Sequence, residues 1–238
     1  MNKGVCIVSV APIRSEKSDK SELITEILFG ESVDILEVDK NWTKIKIDYD
    51  GYEGWVDTKQ VNPISDEDFL KRKISILNKK FSYEKTKDGE MLLSFGSELE
   101  NETLALKQND NVRASITSIA KEFLNVPYLW GGRSFFGVDC SAFVQLIFKV
   151  HNIKLPRDSF QQALIGEELF LFEDKNPGDL AFFQNPEGKI IHVGIVLENN
   201  KIIHSSGKVR IDKLDSNGIF KEEINLYTHK LSFIRKVI

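Results

Sequence analysis

The chain has 238 residues, 41% hydrophobic and 29% charged, a balance that suits one large or two small globular domains with a sizeable core. A formal charge of −4 and a pI of about 5.7, with no dense basic stretch, argue against a nucleic-acid partner. The longest apolar run is far too short to cross a bilayer, so no membrane insertion is expected.

The chain opens on MNKGVCIVSVAPIRSEKSDK, where Val5 to Val10 is short and charge follows at Arg14. That is a poor secretory signal, and a cytoplasmic location is the expectation. The segment reads as a first strand, with Val8 and Val10 on one face and Ile7 and Ser9 on the other. Cys6, among Val5, Ile7 and Val8, is expected to be a small buried hydrophobe. With only two cysteines, Cys6 and Cys140, no disulfide framework is expected. Further β-rich runs (SVDILEV, WTKIKI, GYEGWV) are separated by polar or glycine-containing turns, so residues 1–64 read as all-β. GESVDILEVDKNWTKIKIDYDGYEGWVDTKQV resembles the bacterial SH3-like domain found on many cell-wall enzymes, with Trp42 and Trp55 expected as core aromatics.

Residues 65–110 are read as an extension of the β domain and a linker. SDEDFLKRKISILNKK begins a helix with Ser65 as cap, and MLLSFGSELE gives a strand, a glycine turn and another short element. From residue 111 to 238 the pattern changes. VRASITSIAKEFLN places Val112, Ile116, Ile119, Ala120 and Phe123 at helical spacing. After the loop PYLWGGRSFFGVD, the stretch CSAFVQLIFKVHN is apolar nearly all round and reads as a central buried helix. PRDSFQQALIGEEL, with Asp158 or Ser159 as cap, suggests another helix, and LAFFQ, IIHVGIVL, KIIHSS and LSFIRKVI read as strands. Helices followed by strands imply an α+β domain with an antiparallel sheet packed on the buried helix.

Cys140 stands where the glycine-rich loop becomes that helix. Backbone N–H groups and the helix dipole there favour a thiolate and can hold an oxyanion, which is what acyl transfer needs. Of the four histidines, His192 and His204 lie on strands joined by the tight turn LENNK, within reach of each other across an antiparallel pair. The natural arrangement is His192 as base and His204 as its orienter. His151 and His229 read as surface residues. Paired metal-ligand spacings are absent, so neither a metal nor another cofactor is expected.

In order, VPYLWGGRSFFGVDCSAFVQ, PRDSFQQ, NPGDLAFFQ, IIHVGIVLENNKIIHSSG and SFIRKVI resemble the NlpC-type papain-like cell-wall cysteine peptidases over residues 111–238. The resemblance implies Cys140 as nucleophile, His192 as base, His204 as the third polar residue and Tyr128 beside the thiolate. With the SH3-like domain, the chain resembles γ-D-glutamyl-diamino acid endopeptidases. These cut peptidoglycan stem peptides (muropeptides) that keep a free N-terminal L-alanine. That subgroup implies Asp139, Tyr52 and an acidic residue around the terminal ammonium, for which Glu22 is the choice, with Glu26 and Glu31 nearby. It also implies Ser141 and Ser159 on the substrate backbone or D-glutamate carboxylate. Asp139 and Ser159 equally suit helix caps, and Tyr52 an SH3-like core. The alternative function is wall remodelling on intact peptidoglycan, with the SH3-like domain as a targeting module. The sequence is silent on oligomeric state.

Overall fold

The computed structural model describes residues 2–100 and 111–238, which separate by their contacts into two units. The first takes in Met1–Lys107 and Leu129–Gly137, the second Gln108–Tyr128 and Val138–Ile238.

In the first unit, seven strands form one antiparallel sheet: β1 (Asn2–Cys6), β2 (Val10–Arg14), β3 (Leu23–Leu28), β4 (Ser32–Asp39), β5 (Trp42–Ile47), β6 (Glu53–Asp57) and β7 (Val61–Ile64). Their order is β3-β2-β6-β5-β4-β1-β7. The single strand expected over Val5 to Val10 is therefore two strands. β1 lies between β4 and β7, whereas β2 lies between β3 and β6, so the chain must leave one position in the sheet to reach the other. Cys6, at the end of β1, is fully buried with Ala11, Ile13, Ile45, Ile47 and Val56. Alternation turns Ile45 and Ile47 inward and leaves Trp42 and Lys44 on the other face. Trp42 and Trp55 are thus half-buried and outside the core, and the Lys17 ammonium lies 5.2 Å from the Trp55 ring centre. Tyr49 and Tyr52 pack against the core instead.

Residues 65–100 extend this unit. Ser65 caps α1 (Asp66–Lys71) by accepting the Asp68 N–H at 3.0 Å. Strands β8 (Ile74–Ile76), β9 (Phe81–Thr86), β10 (Gly89–Ser94) and β11 (Glu98–Glu100) follow, paired β9 with β10 and β8 with β11. Leu77, Leu93 and Leu99 make a small second core on which Phe29 and Met91 pack. The rest of the expected linker, 101–110, lies outside the described residues.

The loop 129–137 groups by its contacts with the first unit, although in sequence it is part of the following domain. A short ladder of β12 (Arg133–Ser134) and β13 (Gly137–Val138) ends it. Arg133 is fully buried, and its guanidinium donates to both Glu31 oxygens at 2.8 and 2.9 Å while its backbone N–H donates to Glu26 Oε2 at 2.7 Å. Gly131 adopts φ +73°, and a Cβ there would stand 2.2 Å from the Leu23 carbonyl oxygen, so only glycine fits this approach.

The second unit holds α2 (Val112–Glu122), capped by Asn111, and α3 (Cys140–Lys149), of which all ten residues are buried. The helix expected at PRDSFQQALIGEEL is only α4 (Ser159–Gln162), because the chain then pairs as β14 (Glu167–Leu169) with the final strand. The remaining strands are β15 (Leu180–Gln184), β16 (Ile190–Leu197), β17 (Lys201–Ser206), β18 (Lys208–Asp215), β19 (Gly218–Lys221) and β20 (Leu226–Lys236). They run β20-β15-β16-β17-β18-β19, and β19 pairs with β20 to close the sheet into a barrel. Ala181, Phe183, Val196, Ile202, Leu214 and Ile219 share one buried cluster. The alternate residues Val193 and Ile195, also buried, lie on the opposite face of β16, the strand on which α3 packs.

Candidate active site

Cys140 is the first residue of α3, and Asp139 is its N-cap, accepting the Ala142 N–H at 2.8 Å. Burial pushes the Cys140 thiol up to about 12, and the Asp139 carboxylate acts in the same direction. Backbone N–H groups of Val193 and Ser141 and the Arg157 guanidinium pull against that rise. The helix start therefore supplies donors, as expected, but burial outweighs them. Burial thus favours the protonated thiol, and a nearby base is needed to draw off its proton. The Val193 N–H that reaches the sulfur is one residue beyond His192.

Strand alternation sets the rest. Gly194 lies opposite His204, so His192, two residues earlier, shares its face of the barrel. A Cβ on Gly194 would meet Ile202 Cδ1 at 2.7 Å and the His204 Cβ at 2.9 Å, so glycine makes room for both side chains of the neighbouring strand. His192 Nε2 and His204 Nδ1 are 2.8 Å apart. His204 Nε2 is 2.9 Å from Asp212 Oδ2, and Arg210 grips the same carboxylate from Nε at 2.6 Å and Nη2 at 2.7 Å. Burial, then repulsion from His204 and His229, pushes His192 well below the ordinary imidazole value. Burial also lowers His204, with Asp212 working the other way. Burial alone would raise the Asp212 carboxyl, but hydrogen bonds from His204 and Arg210 hold it down at about 2. The set is thus two neutral imidazoles ending on a carboxylate.

His229 corrects the sequence reading. It is half-buried, and its ring stacks on His192 with centroids 4.3 Å apart and planes 27° apart. The closing strand begins at Leu226, not at LSFIRKVI, and its pairing with β15 and β19 carries His229 in. Burial first, then His204, lowers it to about 4. His151 is half-buried, with its Nδ1 2.8 Å from the Ile147 carbonyl and its Nε2 2.9 Å from Ser115 Oγ.

Around Cys140 the structure gathers Tyr128, Asp139 and Ser141. Burial raises the Tyr128 phenol to about 12, with Cys140 and Asp139 adding to it. Asp139 carries more than a cap. Arg157, 2% exposed, donates from Nη1 to Asp139 Oδ1 at 3.0 Å and to Ser141 Oγ at 2.9 Å, and from Nη2 to Asp139 Oδ2. Sequence reasoning missed this arginine, though it stands in the quoted PRDSFQQ. Ser159 is the first residue of α4, and Asp158 is the cap, in a capping box with Gln161. Tyr52 and Glu22 lie in the first unit. Of the three candidate acids, Glu26 and Glu31 are buried on Arg133, whereas Glu22 is exposed and accepts the Trp130 indole N–H at 2.7 Å. Among the described residues no group of three His, Cys, Asp or Glu side chains is arranged to hold a metal ion.

Comparison with known proteins adds the family. Residues 125–227 match the NlpC/P60 family and residues 13–61 the bacterial dipeptidyl-peptidase SH3 domain. The chain is 31% identical over 216 residues to a γ-D-glutamyl-L-lysine dipeptidyl-peptidase of Bacillus subtilis, covering 76% of this chain and 71% of that protein. It is 34% identical over 131 residues to a probable endopeptidase NlpC of Escherichia coli, covering 52% of this chain and 77% of that one. An NlpC/P60 protein of Bacillus cereus shares the fold at a TM-score of 0.83 and 21% identity, over 99% of each chain. With the SH3 domain and the papain-like domain both matched in order, the chain belongs to the NlpC/P60 family and is a cysteine peptidase.

Proposed function

We propose that this peptidase hydrolyses the bond between γ-D-glutamate and the following L-diamino acid in peptidoglycan-derived peptides with a free N-terminal L-alanine. One observation carries the reading: the match to a γ-D-glutamyl-L-lysine dipeptidyl-peptidase covers 76% of the chain, well beyond the NlpC/P60 region of 125–227, and a bacterial dipeptidyl-peptidase SH3 domain at 13–61 precedes that region. Short free peptides of that kind go with a recycling role in the cytoplasm.

In this reading His192 takes the Cys140 proton as the sulfur attacks the γ-carbonyl carbon. Burial favours the protonated form of the thiol, so the base must act on it for attack to occur. N–H groups at the start of α3 face the developing oxyanion, and Tyr128 helps shape that site. The His192 imidazolium then protonates the leaving amine of the diamino acid. Water, deprotonated by the same imidazole, releases the dipeptide from the thioester. Ser141 and Ser159 are assigned to the substrate backbone or D-glutamate carboxylate, and Tyr52 and Glu22 to the terminal ammonium.

Asp139 needs a different test from the others. Its charge is already balanced by Arg157, and Asp139→Ala would take the carboxylate from a buried guanidinium and the cap from α3. Altering the substrate avoids this. Incubation with L-Ala-γ-D-Glu-L-Lys, its diaminopimelate counterpart and their N-acetylated forms, with products identified by mass, reads the specificity directly. Release of L-Ala-γ-D-Glu from the free peptides only is expected. Equal cleavage of acetylated peptide or intact crosslinked wall would instead favour a wall-remodelling hydrolase.

A further inference from the structure

We infer that Asp212 is a positioning residue of the catalytic relay, fixing the tautomers of both His204 and His192 so that His192 presents a bare nitrogen to Cys140. The inference rests on the reading of Cys140 and His192 as nucleophile and base.

The geometry dictates the direction of each bond. A carboxylate only accepts, so the His204 Nε2 facing Asp212 Oδ2 at 2.9 Å must carry the proton. His204 Nδ1 is then a lone pair. It can only accept, so the His192 Nε2 at 2.8 Å must carry a proton too. That leaves His192 Nδ1 unprotonated, the form a general base requires. Two hydrogen bonds thus transmit one fixed fact, the acceptor-only character of Asp212. When His192 takes the thiol proton, its new charge faces a chain that ends on an anion. The proton stays on the imidazole, and Asp212 acts at a distance.

Asp212 is built for this. Its side chain is 7% exposed and stands on β18, two residues from Arg210, which lies opposite His204 in the ladder. Arg210 holds both carboxylate oxygens and reaches Glu223 Oε1 at 3.2 Å, so the acceptor cannot rotate away from His204. The charged and titratable groups facing His204 are His192 from β16, Arg210 and Asp212 from β18, and His229 from β20, whose ring centre is 5.7 Å away. Of these, only Asp212 favours the imidazolium form of His204.

Asp212→Asn keeps the shape and removes the obligatory acceptor. It is expected to lower kcat about 10- to 100-fold with KM little changed. It should also move the acid limb of the kcat/KM profile to lower pH, because the imidazolium form loses its anion. Asp212→Glu keeps the charge, and its acid limb stays with the wild type. A wild-type kcat in Asp212→Asn, a loss with an unmoved acid limb, or a Glu variant displaced as far as Asn would each overturn the inference. Iodoacetamide alkylation of Cys140 separates this from the reading beneath it. If His192→Ala alkylates as fast as wild type, the base assignment fails. If His192→Ala is slow but Asp212→Asn alkylates with the wild-type rate and pH profile, only the Asp212 role fails.

Discussion

Both units bury a polar network, and the two networks differ in the kind of charge they hold. In the first unit, Arg133 is fully buried with its guanidinium on Glu31 and its backbone on Glu26. In the second, His192 and His204 are nearly as buried, but the chain of bonds runs through imidazoles to Asp212. An arginine keeps its proton at any working pH, so the first network can only fix geometry. An imidazole titrates near neutrality and has two unlike nitrogens, so the second can move a proton while staying satisfied. Burial and full hydrogen bonding do not by themselves separate a structural site from a reactive one. The titratable group does.

The largest effect should come from breaking the reactive network at its head. Cys140→Ala and His192→Ala are each expected to cost roughly 10⁴-fold or more in kcat/KM while the protein stays folded, checked by peptide turnover and thermal melting. The corresponding break in the first unit should act on stability. Arg133→Met removes the guanidinium that holds both oxygens of the buried Glu31, with an expected loss of about 3–5 kcal/mol in denaturant melts. A Gly194→Ala change crowds Ile202 and His204 on the neighbouring strand and should lower kcat roughly 10-fold with KM nearly kept. An unchanged kcat would show that the imidazole has room to spare.

A smaller contrast lies in pH. All four histidines are in the second unit, and each is lowered from its ordinary value of 6.5, His229 to about 4. Between pH 6.5 and about 4 the unfolded chain takes up a proton at His229 that the folded chain refuses. Stability should therefore fall as pH drops through that window, and His229→Phe should flatten part of the fall. Melting temperature against pH for the two proteins checks this. A wild-type curve flat from 6.5 to 4 would contradict it.

Much of the site was legible because its residues carry local signals. Cys140 follows a glycine-rich loop and opens an apolar helix, and His192 and His204 sit on strands joined by a tight turn. Arg157, Asp212 and His229 carry no such signal. A lone charged residue on a strand or loop looks the same whether it faces solvent or a histidine. Only β18 beside β17, β20 beside both β15 and β19, and the loop after α3 decide which it is.

The sequence by itself determined the two kinds of structure, all-β then α+β, the buried helix that begins at Cys140 and the pairing of the two strand-borne histidines. These depend on periodicity, caps and turns, which act over a few residues. The tertiary structure alone decided that loop 129–137 belongs with the first unit, that the sheet closes into a barrel, and that burial raises the Cys140 thiol despite its helix start. Those outcomes depend on contacts between residues far apart in the chain and on how much water each group loses. No local pattern records either.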